Sequence, residues 1–148
     1  MSSPVPSDAP KVILGSWADV AEAASRIRFA VFVDEQGVPA DMELDEFDAV
    51  SIHALALVND RPVGTGRLLP DGHVGRMAVL REHRGRGIGA ALLGTLMDAA
   101  RSRGQKRLVL HAQTHALGFY GAFGFRPEGD VFMEAGLPHQ TMIWEKQA

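Results

Sequence analysis

Apolar positions along this chain follow two rhythms, and the changes of rhythm mark its elements. Residues 11–14 form a short strand-like run ended by Gly15, and Ser16 with Asp19 then resembles a capping box in which each side chain satisfies an orphan amide. Val20, Ala23, Ala24, Ile27 and Val31 recur at three- and four-residue intervals, which predicts a helix stopped by Gly37 and Pro39. Residues 52–58 read as a strand, Asn59-Asp60 as a turn and residues 63–69 as the returning strand. A second turn, Pro70-Asp71-Gly72, leads to a third strand over 74–80. After a glycine-rich loop, Ile88, Leu92, Leu96 and Ala99 fall at near-helical spacing up to Gly104. Residues 108–110 read as an apolar, fully buried strand, residues 116–123 as a short helix, and 130–134 with 140–144 as a closing hairpin. The order β-α-βββ-α-β-α-ββ predicts an α/β (α+β) fold. Its expected form is a single mixed, mostly antiparallel sheet of about seven strands flanked by helices. The helix between the strands at 74–80 and 108–110 implies a right-handed crossover with locally parallel pairing.

Composition narrows the function classes. With 148 residues, residues 1–10 read as a flexible tail and 11–148 as one domain. Cysteine is absent, which excludes a disulfide framework, a thiolate zinc site and thiol-based covalent catalysis. A net charge of −3 argues against a general nucleic-acid binder, although the arginines between Arg76 and Arg107 keep that reading in view. No apolar run approaches the ~18 residues of a membrane span, and the first ten residues lack a signal-peptide core. The expected compartment is therefore cytoplasmic, with no membrane partner.

The charge is unevenly placed. Residues 34–48 carry seven acidic side chains and no Lys or Arg, whereas 76–86 carry Arg76, Arg81, Arg84 and Arg86 against Glu82 alone. The part of the acidic run from Asp41 to Asp48 is either a field that attracts a cationic amine or polyamine or a solvated face. It is no EF-hand, because Glu46 stands at the glycine position and Ile52 at the last ligand position. His111 and His115 have zinc-like spacing, but Ala112 replaces the glutamate of the helical zinc motif, so no metal is expected. There is no G-x-S-x-G elbow.

Arg84-Gly85-Arg86-Gly87-Ile88-Gly89-Ala90 lies between a predicted strand and a predicted helix. Glycines there let a ligand approach the backbone, and the helix start offers free amides with partial positive charge, which suits a phosphate or pyrophosphate. Gly85, Gly87 and Ala90 fit a dinucleotide fingerprint, yet the next strand runs into His111-Ala112-Gln113 without the acidic residue that fingerprint needs. No Gly-Lys-Ser/Thr triplet exists for a nucleotide P-loop. A plain turn and helix cap is the structural alternative.

Arg84-x-x-Gly87-x-Gly89, preceded by Met77-Ala78-Val79, resembles the R/Q-x-x-G-x-G/A coenzyme A signature of GNAT N-acetyltransferases. Ala116-x-x-x-Tyr120-x-x-x-Gly124-Phe125 resembles their second signature, and the strand order agrees over roughly residues 11–146. Segments 31–37 and 112–115 resemble a small-molecule subgroup of that superfamily.

The resemblance implies acyl transfer from acetyl-CoA to an amine, without a covalent enzyme intermediate. Arg84, Gly85, Arg86, Gly87, Ile88 and Gly89 would meet the pyrophosphate, and Met77, Ala78 and Val79 the pantetheine arm by strand-like pairing. Arg81 and Arg86 either reach the adenosine phosphates or stay solvated. Tyr120 matches the tyrosine that protonates the departing thiolate, with packing and a cofactor hydrogen bond as the alternative, and an amide near Val79 would polarise the carbonyl. Gln113 stands where many relatives carry Asn and keeps a donor and an acceptor for the cofactor. Arg76 lies on the strand where others place a glutamate base, and an arginine cannot serve as one. The base or substrate candidates are Glu35, His53, His111 and His139, each with a structural alternative. The expected partner is a small-molecule amine, and dimers are common in the superfamily. A non-catalytic acyl-CoA-binding module on the same fold is the alternative function.

Overall fold

The computed structural model describes residues 9–147, apart from the Met42 side chain, so most of the expected tail lies outside the described residues. Four strands, β1 (Lys11–Gly15), β2 (Ile52–Val58), β3 (Arg61–Leu68) and β4 (Val74–Val79), pair antiparallel in sequence order. Three more, β5 (Arg107–Gln113), β6 (Arg126–Glu134) and β7 (Leu137–Glu145), pair antiparallel in the order β5-β7-β6. The helices are α1 (Trp17–Arg28), α2 (Ala40–Glu43), α3 (Ile88–Ser102) and α4 (Leu117–Gly121). The predicted order of main elements holds. Between β1 and β2, α2 and a 3-10 turn at Glu46–Val50 are added.

Hydrogen bonding divides the expected single sheet in two. The sheets touch at one parallel bridge, His73 to Val109, where the Val109 amide donates to the Gly72 carbonyl at 3.0 Å. Gly72 has φ +95°, and a Cβ there would lie 2.6 Å from the Arg107 carbonyl oxygen, so only glycine lets the two backbones meet. Beyond that contact β4 and β5 part. The cause lies in β4, where pairing shifts between Thr65–Ala78 and Arg67–Gly75 and leaves Arg76 in a bulge at φ +50°. A bulge bends its strand and adds twist.

α3 packs on one face of the four-stranded sheet. Ile88, Leu92, Leu93, Leu96, Met97 and Ala100 form its buried stripe against Ala54, Ala56, Val63, Leu68, Leu108, Leu110, Ala112 and Met142. Full burial of each leucine is worth about 1.5–3 kcal/mol. Gly66 on β3 allows the approach, since a Cβ there would sit 2.4 Å from Met77 Sδ and 3.0 Å from Leu96 Cδ1. α1 covers the other face with Val20, Ala24 and Ile27 against Leu55 and Ala78. Half of the expected capping box forms, the Ser16 hydroxyl oxygen accepting the Asp19 amide at 3.3 Å, while the Asp19 carboxylate accepts from the Ser16 hydroxyl at 3.1 Å and not from its amide.

The helix expected to reach Val31 is α-helical only to Arg28. It continues as a π-helical segment, Phe29–Glu35, followed by a bond from the Gln36 amide to the Val31 carbonyl at 3.2 Å. β5 is longer than expected and alternates. Leu108, Leu110 and Ala112 enter the core, while His111 is exposed and Gln113 half-buried on the opposite face. The closing hairpin is also longer, and Ala135 (φ +51°) with Gly136 (φ +78°) makes the left-handed two-residue turn that suits twisted strands. Among the described residues no helix is long and apolar enough to cross a membrane.

Candidate active site

The gap between β4 and β5 opens into a cleft of about 1120 Å³. Its first end is the glycine-rich loop. Gly87, at φ +81°, caps α3 with no side-chain acceptor for the first-turn amides, and a Cβ on Gly85 or Gly87 would meet nothing within 4 Å. Open amides at the start of a fifteen-residue helix make an anion site. Arg84 turns away from it. Its Nε donates to the Val79 carbonyl at 3.0 Å and its two Nη groups to the Glu35 carboxylate at 2.9 and 2.8 Å. The pair fastens the loop to the end of β4 and to the π segment. Arg86 is exposed and does not line the cleft, whereas Arg84, Gly85, Gly87, Ile88 and Gly89 do.

Along the middle, Met77, Ala78 and Val79 line one wall and Gln113 and Tyr120 the other. The Leu80 amide donates to the Val63 carbonyl at 2.9 Å, so by alternation the Val79 amide points away from β3, into the gap. Gln113 Nε2 donates to Gln36 Oε1 at 2.9 Å and the return bond is 3.4 Å, an amide clasp across the cleft that His115 extends to Gln113 Oε1 at 2.8 Å. Tyr120 rests against Phe119 and Phe125, with ring centroids 5.0 and 6.1 Å away. Burial pushes its phenol up to about 12, so it is a neutral hydroxyl at physiological pH.

The far end has two unlike walls. On the three-stranded sheet, Glu134 reaches both His111, Oε1 to Nδ1 at 3.3 Å, and His139, Oε2 to Nε2 at 3.6 Å. His139 donates its Nδ1–H to the Leu137 carbonyl at 2.8 Å. The opposite wall comes from the acidic run, in which Glu43, Asp45 and Asp48 join an internal ion cluster while Asp34, Asp41 and Glu46 stay exposed. Arg28, 1% exposed, binds Glu43 Oε1 and Asp48 Oδ1 at 2.7 Å each, and Arg67 binds Asp45 and Asp48 at 2.6 and 2.9 Å. Arg76, aimed by its bulge, donates to the Glu43 carbonyl at 3.1 Å and to Asp45 at 3.2 Å. Burial alone would raise Asp48 and Asp45, but the arginine hydrogen bonds and charges outweigh it and hold both below the usual carboxylate range. With three arginines against Glu43, Asp45 and Asp48, this wall exerts no strong net field on a cation.

The structure thus gathers His111 and His139 at the cleft and leaves two base candidates out of it. His53 is 1% exposed, donates from Nε2 to the Asp48 carbonyl at 2.9 Å and lies 4.9 Å from the Trp17 ring. Burial, its largest influence, lowers its pKa and keeps it neutral. Glu35 is not a lining residue and is committed to Arg84. Glu134 and Gln36 are site residues that sequence reasoning missed. Glu134 ends a strand whose bulge between Glu128 and Phe132 curls the hairpin tip back over β5, a curvature no local pattern announces. Gln36 follows the π segment and stood in the 31–37 segment that carried the subgroup resemblance, without being named as a contact.

The geometry can now be set beside known proteins. A family model described as an acetyltransferase (GNAT) domain matches residues 20–146. The uncharacterized N-acetyltransferase YjcF of Bacillus subtilis is 36% identical over 137 residues, covering 90% of this chain and 98% of its own. The crystal structure of Escherichia coli ElaA superposes with a TM-score of 0.83 at 29% identity, covering 93% of this chain and 100% of that one. An acyl-CoA N-acyltransferase from Pseudomonas aeruginosa gives a TM-score of 0.82 at 28% identity, covering 92% and 99%. With an open helix start, a parted pair of strands and these relatives agreeing, the chain belongs to the GNAT superfamily of acyltransferases.

Proposed function

We propose that the protein moves an acetyl group from acetyl-CoA to a primary amine of a small molecule, by direct transfer in a ternary complex. One observation carries this reading: the uncapped amides of α3 lead without interruption into the gap where the Val79 amide points away from its own sheet. Amides from Gly85 to Gly89 would hold the pyrophosphate, and Met77 and Val79 would pair with the pantetheine amides as an added strand. Arg84 would act through the Glu35 pair by holding the loop in place. Gln113 would exchange its clasp with Gln36 for the cofactor. The Val79 amide would polarise the thioester carbonyl. A cytoplasmic protein without a nucleic-acid or membrane partner, and with a second copy in a homodimer, belongs to the same proposal.

Tyr120 enters the reaction as a neutral hydroxyl, because the burial that pushes its phenol up to about 12 keeps the proton on it beside the departing sulfur. Its contribution is therefore a hydrogen bond to the developing thiolate, worth about 1.5–3 kcal/mol. The sulfur takes its proton as coenzyme A leaves.

The test is free-thiol release from acetyl-CoA across a panel of amines, read together with thermal stabilisation by acetyl-CoA. Turnover with one amine class supports the transferase and names its acceptor chemistry. Stabilisation without thiol release on any amine would make the protein an acyl-CoA-binding module instead.

A further inference from the structure

Resting on that transferase reading, we infer that His111 is the base that deprotonates the acceptor amine and that Glu134 is the residue that orients it. A lysine-like ammonium, with a pKa of about 10.4, cannot attack a thioester until it loses a proton. Arg76 cannot take that proton, and Glu43, Asp45 and Asp48 are engaged with arginines.

The carboxylate of Glu134 accepts, so the hydrogen between it and His111 sits on Nδ1. The lone pair of a neutral His111 is then on Nε2, across the ring, and Nε2 has no partner among the described residues. A carboxylate that fixes the tautomer and then steadies the imidazolium is the arrangement an imidazole base needs. Placement agrees. His111 and Gln113 share one face of β5, about 7 Å apart along the strand, so the base lies one step beyond the residue expected to contact the cofactor.

His139 completes the arrangement. Its Nδ1–H is committed to the Leu137 carbonyl, so its Nε2 faces Glu134 Oε2 at 3.6 Å, beside the oxygen that His111 uses. The other groups around the His111 ring are Phe132, at 5.2 Å between centroids, and His73, at 6.4 Å and itself paired with Asp71 at 2.9 Å.

The step balances. One ammonium proton passes to His111 Nε2, the neutral nitrogen forms the C–N bond, and the C–S bond breaks. The thiolate leaves as a hydrogen-bond acceptor of Tyr120 and takes up the second nitrogen proton through solvent. His111 then releases its proton, giving one per turnover.

The experiment measures kcat, KM and acetyl-CoA affinity for wild type, His111→Ala, Glu134→Gln and Glu134→Ala, with and without added imidazole. His111→Ala should lose 10²- to 10⁴-fold in kcat with acetyl-CoA affinity within about twofold, and imidazole should restore at least about tenfold of the loss. It should also lose the acid limb of the kcat/KM profile. Glu134→Gln, which can still accept from Nδ1–H, should keep more activity than Glu134→Ala and should move that limb toward lower pH. A His111→Ala enzyme within threefold of wild type, or one unmoved by imidazole and retaining the acid limb, overturns the assignment while wild-type turnover leaves the transferase reading standing. A wild type inactive on every amine overturns both.

Discussion

Replacing Arg28 with methionine should be among the most damaging single changes to this fold, although Arg28 touches neither the glycine loop nor Tyr120. Its guanidinium makes four hydrogen bonds of 2.7 to 3.1 Å to Glu43, Asp48 and the Glu43 carbonyl, and it lies 5.2 Å from the Trp17 ring centre. Methionine has similar bulk and no charge, so Glu43, 1% exposed, loses its closest cation and Asp48 keeps only Arg67. Stranding a buried charge in this way costs about 3–5 kcal/mol. A domain of this size holds roughly 7–22 kcal/mol in total, and each kcal/mol moves Tm by about 2–4 °C. The expected fall in Tm is therefore about 6–20 °C, readable by urea or thermal melts.

The pH dependence separates this cause from lost packing. Asp48 is held below its usual range in the fold, so its contribution is complete above about pH 4 and is lost as pH falls through the folded value. In the variant the stranded carboxylates escape by protonating, and the gap between variant and wild type should narrow from pH 7 toward pH 4. A gap below 1 kcal/mol at pH 7, or one constant across that range, would refute the reasoning.

Other outcomes follow from the same geometry. Gly87→Val forces a branched residue to φ +81° in otherwise open space, so the stabilisation by acetyl-CoA, about 2.7 kcal/mol at a hundred times Kd, should vanish in thermal shift. Tyr120→Phe should lower kcat roughly 10- to 150-fold with acetyl-CoA affinity nearly intact, and equal rates would remove Tyr120 from the reaction. Because burial keeps His53 neutral, its contribution is complete above about pH 6.5 and lost as pH falls below it; the urea midpoint of wild type should drop between pH 7 and pH 5 more than that of His53→Gln.

What could be read from the sequence was local. The apolar run of β2 and the turn that returns it as β3, the stripe on α3, the Ser16 cap and the loop from Arg84 to Gly89 each announce themselves within a dozen residues. What escaped depends on distant partners. The acidic run looks like surface until Arg28, Arg67 and Arg76 arrive from 15 to 33 residues away. The triplet Leu108-Val109-Leu110 suggests a strand buried on both faces, yet the sheet splits beside it and His111 faces the resulting cleft. A split of that kind originates in one bulge at Arg76, a residue type that gives no local warning of a positive φ.

The π-helical segment gives the spacing between α1 and the glycine loop one residue of slack. A π turn holds one more residue than the α turn it replaces, so it takes up that residue without turning the side chains that follow. Deleting a single residue between Phe29 and Asp34 would let the segment relax to α geometry with Glu35 still directed at Arg84, whereas one residue more would turn Glu35 by about 100° and off Arg84. A deletion that spares Val31, which is buried, should therefore be borne more easily than an insertion in the same stretch.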